Sequence, residues 1–324
     1  MSHPGIFRLR IALLLTLLLS LAPTAQALQT EEGKKKKDEP PPQGKPVLWR
    51  EHADVAALDL FHGPGGEAAK PDLSRLTFIR EEKGGYSKKY RVRDAAGRVW
   101  VAKVGKEAQP ETAASRLVWA AGYLTEVTYL VPRVNIPGKG TFENVRFEPR
   151  PEDVKRFDAW RWDANPFAGT RELQGLKIMM ALIENWDIKD DNNRVLVVPG
   201  EGGAELHHVV SDLGATFGKT GGQNSPMAML RQVKGSRNEP QDYASDKFIG
   251  GVEAGEVRFD FSGKNSHLMR GIKVEDAQWL GAILSRLTDK QIEDAFRAAN
   301  YTPEEVRLLA GAVKARVGEL ANVK

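Results

Sequence analysis

The sequence predicts an α+β fold in two lobes: a small antiparallel β lobe with one helix, then a larger, mainly helical lobe. Three observations predict it. Between residues 76 and 148 the chain offers short β-rich segments interrupted by a single helical stretch. After Pro149-Arg150-Pro151 the apolar residues recur at helical spacing instead of alternating. From Glu275 onward the chain divides into three amphipathic segments, two of them preceded by a threonine suited to capping a helix.

Leu76–Arg80, Lys89–Arg93 and Val99–Val104 read as strands, being short, β-rich and partly alternating. Asp94–Arg98, with Gly97, reads as the hairpin turn between the last two. A helix follows, with Pro110 near its first turn and Glu111, Leu117, Val118 and Leu124 at helical spacing. Val127–Val134 and Glu143–Glu148 are two further strands. Glu172–Glu184 reads as one buried helix through Leu173, Leu176, Ile178, Met179, Leu182 and Ile183, and it delivers the chain to Asn185. Val195–Val198 and His207–Val210 form a hairpin that sets Asn192 and Asp212 on neighbouring loop ends. The Gly-rich stretch Gly218–Phe261 is poorly periodic. Glu275–Leu287, Asp289–Ala299 and Pro303–Leu320 are helices, the last two capped by Thr288 and Thr302.

At the N-terminus, Arg8 and Arg10 precede an apolar run, Ile11–Ala22, and Ala25-Gln26-Ala27 fits a cleavage site. The run is short for a bilayer span. Residues 1–27 are therefore expected to be a signal peptide, an uncleaved anchor being the alternative, and the mature protein periplasmic or extracellular. Residues 28–47 are rich in Lys, Glu, Pro and Gly and are expected to be a disordered linker. The small lobe then spans 48–150 and the large lobe 151–324.

A chain of 324 residues with 41% hydrophobic content can bury a substantial core. Its 47 basic and 43 acidic residues nearly balance, and the basic run Lys34–Lys37 lies in the linker, so no nucleic-acid partner is expected. The chain has no cysteine, which excludes a lipoprotein anchor and any disulfide. No segment beyond the leader is apolar enough to cross a membrane, and a monomer is expected.

The chemistry concentrates in Asn185-Trp186-Asp187-Ile188-Lys189-Asp190-Asp191-Asn192 and in Ser211-Asp212-Leu213-Gly214. Phosphoryl transfer needs a carboxylate to orient an attacking hydroxyl and oxygen ligands to hold metal. Taken singly, each of these is more often a turn residue. Lys103 sits in a strand otherwise built of Val99, Trp100, Val101 and Val104, where a charge needs a partner. Glu111 is the natural one, Glu107 its rival, and Arg116 a further contact. The plainer alternatives are an edge-strand lysine and a carboxylate at a helix N-terminus. His207 and His208 point to opposite faces of a strand, and scattered histidines make structural zinc improbable. Trp160 and Trp162 read as packing. Neither a Gly-x-Ser-x-Gly elbow nor His-Glu-x-x-His is present.

The order Lys103, Glu111, Asp187-x-Lys189-x-x-Asn192, Asp212-Leu213-Gly214 resembles the protein-kinase-like superfamily. It looks closest to the atypical lipid-kinase-like, secreted-kinase and spore-coat-kinase branches. Trp186 stands where eukaryotic protein kinases carry arginine, Leu213 replaces phenylalanine, and no Ala-Pro-Glu follows. The resemblance implies a two-lobed kinase-like fold that binds ATP with Mg²⁺ or Mn²⁺. It implies Asp187 as hydroxyl orienter or base and Lys189 near the transferred phosphate. Asn192, chosen over Asn193 by its spacing from Asp187, and Asp212 would hold metal. Lys103 with Glu111 would position the phosphates under a loop of Gly84, Gly85 and Ser87, and adenine would meet backbone near Glu148–Arg150. The acceptor would be a hydroxyl on a protein, sugar or lipid headgroup. The alternatives are a pseudokinase scaffold and nucleotidyl (AMP) transfer in the same cleft.

Overall fold

The computed structural model describes residues 42–84, 87–157, 159–220 and 235–324. The expected signal peptide and linker residues 28–41 lie outside them. Strand β1 (Lys45–Val47) opens the described chain, although its Lys/Pro/Gly context assigned it to the linker. It joins a sheet edge, where the missing N–H of Pro46 is tolerated, and it buries Val47.

The small lobe comprises β2 (Thr77–Glu82), β3 (Lys88–Arg93), β4 (Val99–Val104), α1 (Ala108–Ala120), β5 (Tyr129–Ile136) and β6 (Gly140–Pro149). Its sheet runs in the order β2-β3-β4-β6-β5, antiparallel throughout. The β3–β4 turn is organised by Asp94, which accepts hydrogen bonds from the Arg98 amide at 2.8 Å and the Trp100 indole at 2.9 Å. Gly97 supplies the left-handed residue the turn requires, at φ +85°. One face of the sheet buries Tyr90, Val92, Trp100, Ala102 and Phe147 as a core of their own. Alternation along β4 then sends Val101 and Lys103 to the opposite face. The apolar side of α1, from Ala113 to Ala121, joins the large lobe's core instead.

The large lobe contains β7 (Lys155–Phe157), α2 (Arg171–Leu182), β8 (Asn193–Gly200), β9 (Gly203–Val210), α3 (Pro240–Ser245), β10 (Ile249–Glu253), β11 (Glu256–Phe259), α4 (Val274–Leu284), α5 (Asp289–Arg297) and α6 (Pro303–Asn322). A four-stranded sheet runs β1-β9-β8-β7, with β1 parallel to β9. Thr170 caps α2, and Thr288 and Thr302 form full capping boxes at α5 and α6. Trp160 and Trp162 are buried with ring centroids 4.8 Å apart, and the Trp160 indole donates to the Val209 carbonyl. The stretch from Gly218, part of which (221–234) lies outside the described residues, yields α3 and the β10–β11 hairpin. Gly250 and Gly251 break the alternation there, where the register shifts. Among the described residues no helix is long and apolar enough to cross a membrane.

Candidate active site

Lys103 is 3% exposed and lies beneath the small lobe's sheet. Its ammonium is 2.8 Å from Glu111, 2.9 Å from Glu107 and 3.5 Å from Asp212. The two rival glutamates therefore both pair with it. Burial alone would lower the lysine's pKa, but Glu111 and Asp212 more than offset this and hold it above its usual range. Glu111 is so thoroughly buried that its carboxyl is pushed up, although Arg146 and Lys103 oppose the shift. Arg146 reaches Glu111 at 3.1 Å and Glu148 at 2.9 Å. It escaped the sequence reading. The available signal was Arg146 and Glu148 at alternate positions of a strand whose Val145 and Phe147 belong to the core.

Arg116 is not part of this cluster. Five residues beyond Glu111, it projects about 140° further round α1. It donates to Thr128 instead.

Glu107, at the start of α1, accepts from the Ser87 hydroxyl at 2.7 Å and pairs with Arg237 as well as Lys103. Burial would raise its carboxyl; Lys103 and Ser87 hold it below the usual range. Gly84, at φ +104°, turns the chain between β2 and β3, while Gly85 lies outside the described residues. Only a glycine fits at 214, for a reason of space: a Cβ there would stand 2.7 Å from that of Glu107.

The loop bearing Asp187 is set by α2. Glu184, left-handed at φ 53°, turns the chain out of the helix and is held by Arg316 of α6 at 2.5 Å. Asn185 is fully buried, and its carboxamide meets the Asp187 amide at 3.3 Å and the Asp212 carbonyl at 3.5 Å. It thus ties the two loops together. Asp187 lies between two ammonium groups, Lys189 at 3.0 Å and Lys264 at 2.8 Å. Lys264, far along the chain, carried no sequence signal. Its backbone amide donates to the Trp186 carbonyl at 2.7 Å, and Asn265 donates to the Ile188 carbonyl at 2.8 Å.

The carbonyl of Asn192 accepts from the amides of Ser211 (2.7 Å) and Asp212 (3.1 Å), which locks the two loop ends at the base of the β8–β9 hairpin. Its side-chain amide donates to Asp187. Asn193, by contrast, is fully buried and donates to the Trp160 carbonyl at 2.9 Å. Asp212 Oδ1 takes the Gly214 amide at 3.1 Å. Burial would raise this carboxyl, but Lys103 and that amide hold it below its ordinary value. Asp212 keeps 42% of its side chain exposed.

Near the end of β6 several polar groups are engaged within the chain. The Arg150 amide, one of the groups expected to meet adenine, donates to the Val99 carbonyl at 2.8 Å. The Glu148 side chain is engaged by Arg146, Arg150 and Arg156. Arg156 also pairs with Glu126, which accepts from the Ser211 hydroxyl at 2.9 Å. His207 pairs with Glu205 and His208 with the Leu206 carbonyl, both local contacts.

A five-stranded sheet with one helix inserted before its last two strands, above a mainly helical lobe with a paired-loop hairpin, is a two-lobed protein-kinase-like fold. No family model and no curated protein matches the chain. Solved structures similar to it include the Helicobacter pylori proinflammatory kinase CtkA, at 10% identity over 78% of this chain and 94% of that one, with a TM-score of 0.45. The Rio2 kinase–ADP/Mg²⁺–phosphoaspartate complex from Chaetomium thermophilum is similar at 10% identity over 74% and 71%, TM-score 0.31. Hydra Fam20 with sugar is similar at 12% identity over 79% and 88%, TM-score 0.31.

Proposed function

We propose that the chain is an exported, ATP-dependent phosphotransferase that moves the γ-phosphoryl group to a hydroxyl of a protein, sugar or lipid headgroup. The carrying observation is convergence: Lys103 on β4, Asp212 just after β9, and Asp187 with Asn192 in the loop between α2 and β8 meet through direct contacts at one place. Lys103, fixed by Glu111, presents charge to the α- and β-phosphates. Asp187 accepts the proton of the attacking hydroxyl and aims its oxygen along the line of attack. A new P–O bond forms to that oxygen as the β–γ bridging bond breaks, and ADP leaves. Lys189, and beside it Lys264, stabilise charge developing on the transferred group.

The donor set fits a hard divalent cation. Asn192 Oδ1 and Asp212 Oδ2 are oxygens not consumed by the contacts above, and Mg²⁺ favours one or two protein oxygens with phosphate and water completing its shell. Such an ion, held by Asn192 and Asp212, would neutralise the triphosphate.

The test is incubation of the mature protein with γ-labelled and, separately, α-labelled ATP, Mn²⁺ and periplasmic extract, with Asp212→Ala as control. Transfer of γ-label that Asp212→Ala abolishes is expected. Label from the α position would replace this reading with nucleotidyl transfer, and absence of both label and nucleotide binding would replace it with a scaffold.

A further inference from the structure

On the face of α1 turned away from Glu111, a cavity of about 380 Å³ opens between β5, the 61–73 loop and the end of α5. Its volume lies within the usual range for small-molecule sites. Phe61 and Leu73 line it, two of the three large apolar side chains that stand well exposed among the described residues, at 39% each. Lys70 and Arg297 stand at its rim, and both are about half exposed.

Arg116 forms its inner wall and is 1% exposed. Its Nη2 donates to the Thr128 carbonyl and its Nη1 makes a long 3.4 Å contact with the Thr128 hydroxyl. Its Nε has no hydrogen-bond partner, and no described carboxylate lies within ion-pair distance of the guanidinium. Gly63 accommodates this arrangement: at φ +70°, a Cβ there would stand 2.4 Å from Nη1. Burial pulls the guanidinium's pKa down to about 10, and Tyr129 and the more distant Asp59 carboxylate offset this only in part. A desolvated cation with an unused donor is costly to the fold, and an anion that reaches it offsets that cost.

We propose that this cavity binds a small anionic amphiphile, a carboxylate or phosphate monoester on an apolar body. The head group reaches Arg116, and the body lies against Phe61 and Leu73. Lys70 and Arg297 draw the anion in. The site is independent of the cleft chemistry proposed above.

The experiment is calorimetric titration of the mature protein with octanoate and with octyl phosphate, using octanol and acetate as controls. Saturable binding of either amphiphile at one equivalent is expected, and the tighter of the two identifies the head group. Both controls should bind more weakly by about tenfold or more, the scale of one lost polar contact. Leu73→Glu, at an exposed position that leaves folding intact, should weaken binding by a similar factor, as should Arg116→Met. No saturable binding, octanol binding as tightly as octanoate, or unchanged affinity in both variants would overturn the site.

Discussion

Lys103 shows what a single residue can hold together. It is buried beneath an apolar sheet and is accompanied by two glutamates and an aspartate within 3.5 Å. Lys103→Ala strands those carboxylates in a desolvated place. The expected cost is on the order of 3–5 kcal/mol of stability, read from thermal melting, together with loss of any γ-phosphoryl transfer. Glu126 makes a second residue-scale case. Burial first, and then the facing carboxylate of Glu148, lift it from 4.5 to about 7. The folded chain holds a proton there that the unfolded chain releases. Its contribution is therefore full below about 4.5 and is lost as pH rises through about 7. Melting temperature measured from pH 5 to 8 should fall with that slope in wild type and lose it in Glu126→Gln. Parallel curves would contradict the assignment.

Between elements, the decisive contact is that of Gly214 against α1. Gly214→Ala forces a methyl toward Glu107 and should cost about 1–3 kcal/mol by overpacking, while loosening the Glu107–Lys103 pair. A melting curve unchanged from wild type would show that the two elements are free to separate. Much at this scale was legible in the sequence. The strand Val99–Val104, the Asp94–Arg98 turn and the Thr288 and Thr302 caps are local chemistry, and local chemistry is what periodicity and cap residues record. Strand β1 and the β10–β11 hairpin were not, because the former takes its identity from a partner far along the chain and glycines blur the latter's alternation. The site divides the same way. The ordered set from Lys103 to Asp212 could be seen, but Arg146 and Lys264 become visible only when burial and through-space contact are known.

At the scale of the whole molecule, the Lys103–Asp212 contact joins the two lobes, so the nucleotide proposed to bind there should stabilise the chain as a unit. Mg²⁺-ATP at 100 times its dissociation constant should add about 2.7 kcal/mol, read as a rise in melting temperature. Asp212→Ala should blunt the rise, and equal shifts in the two proteins would remove Asp212 from nucleotide binding. Strand β1 carries another consequence, concerning synthesis. Lys45 pairs with Glu205, so β1 leaves the ribosome about 8–32 s before its partner at ordinary elongation rates. During that interval its backbone offers unmatched donors and acceptors to any neighbouring nascent chain. Lys45 and Pro46, one charged and one unable to donate, are the residues that discourage such pairing until β9 arrives.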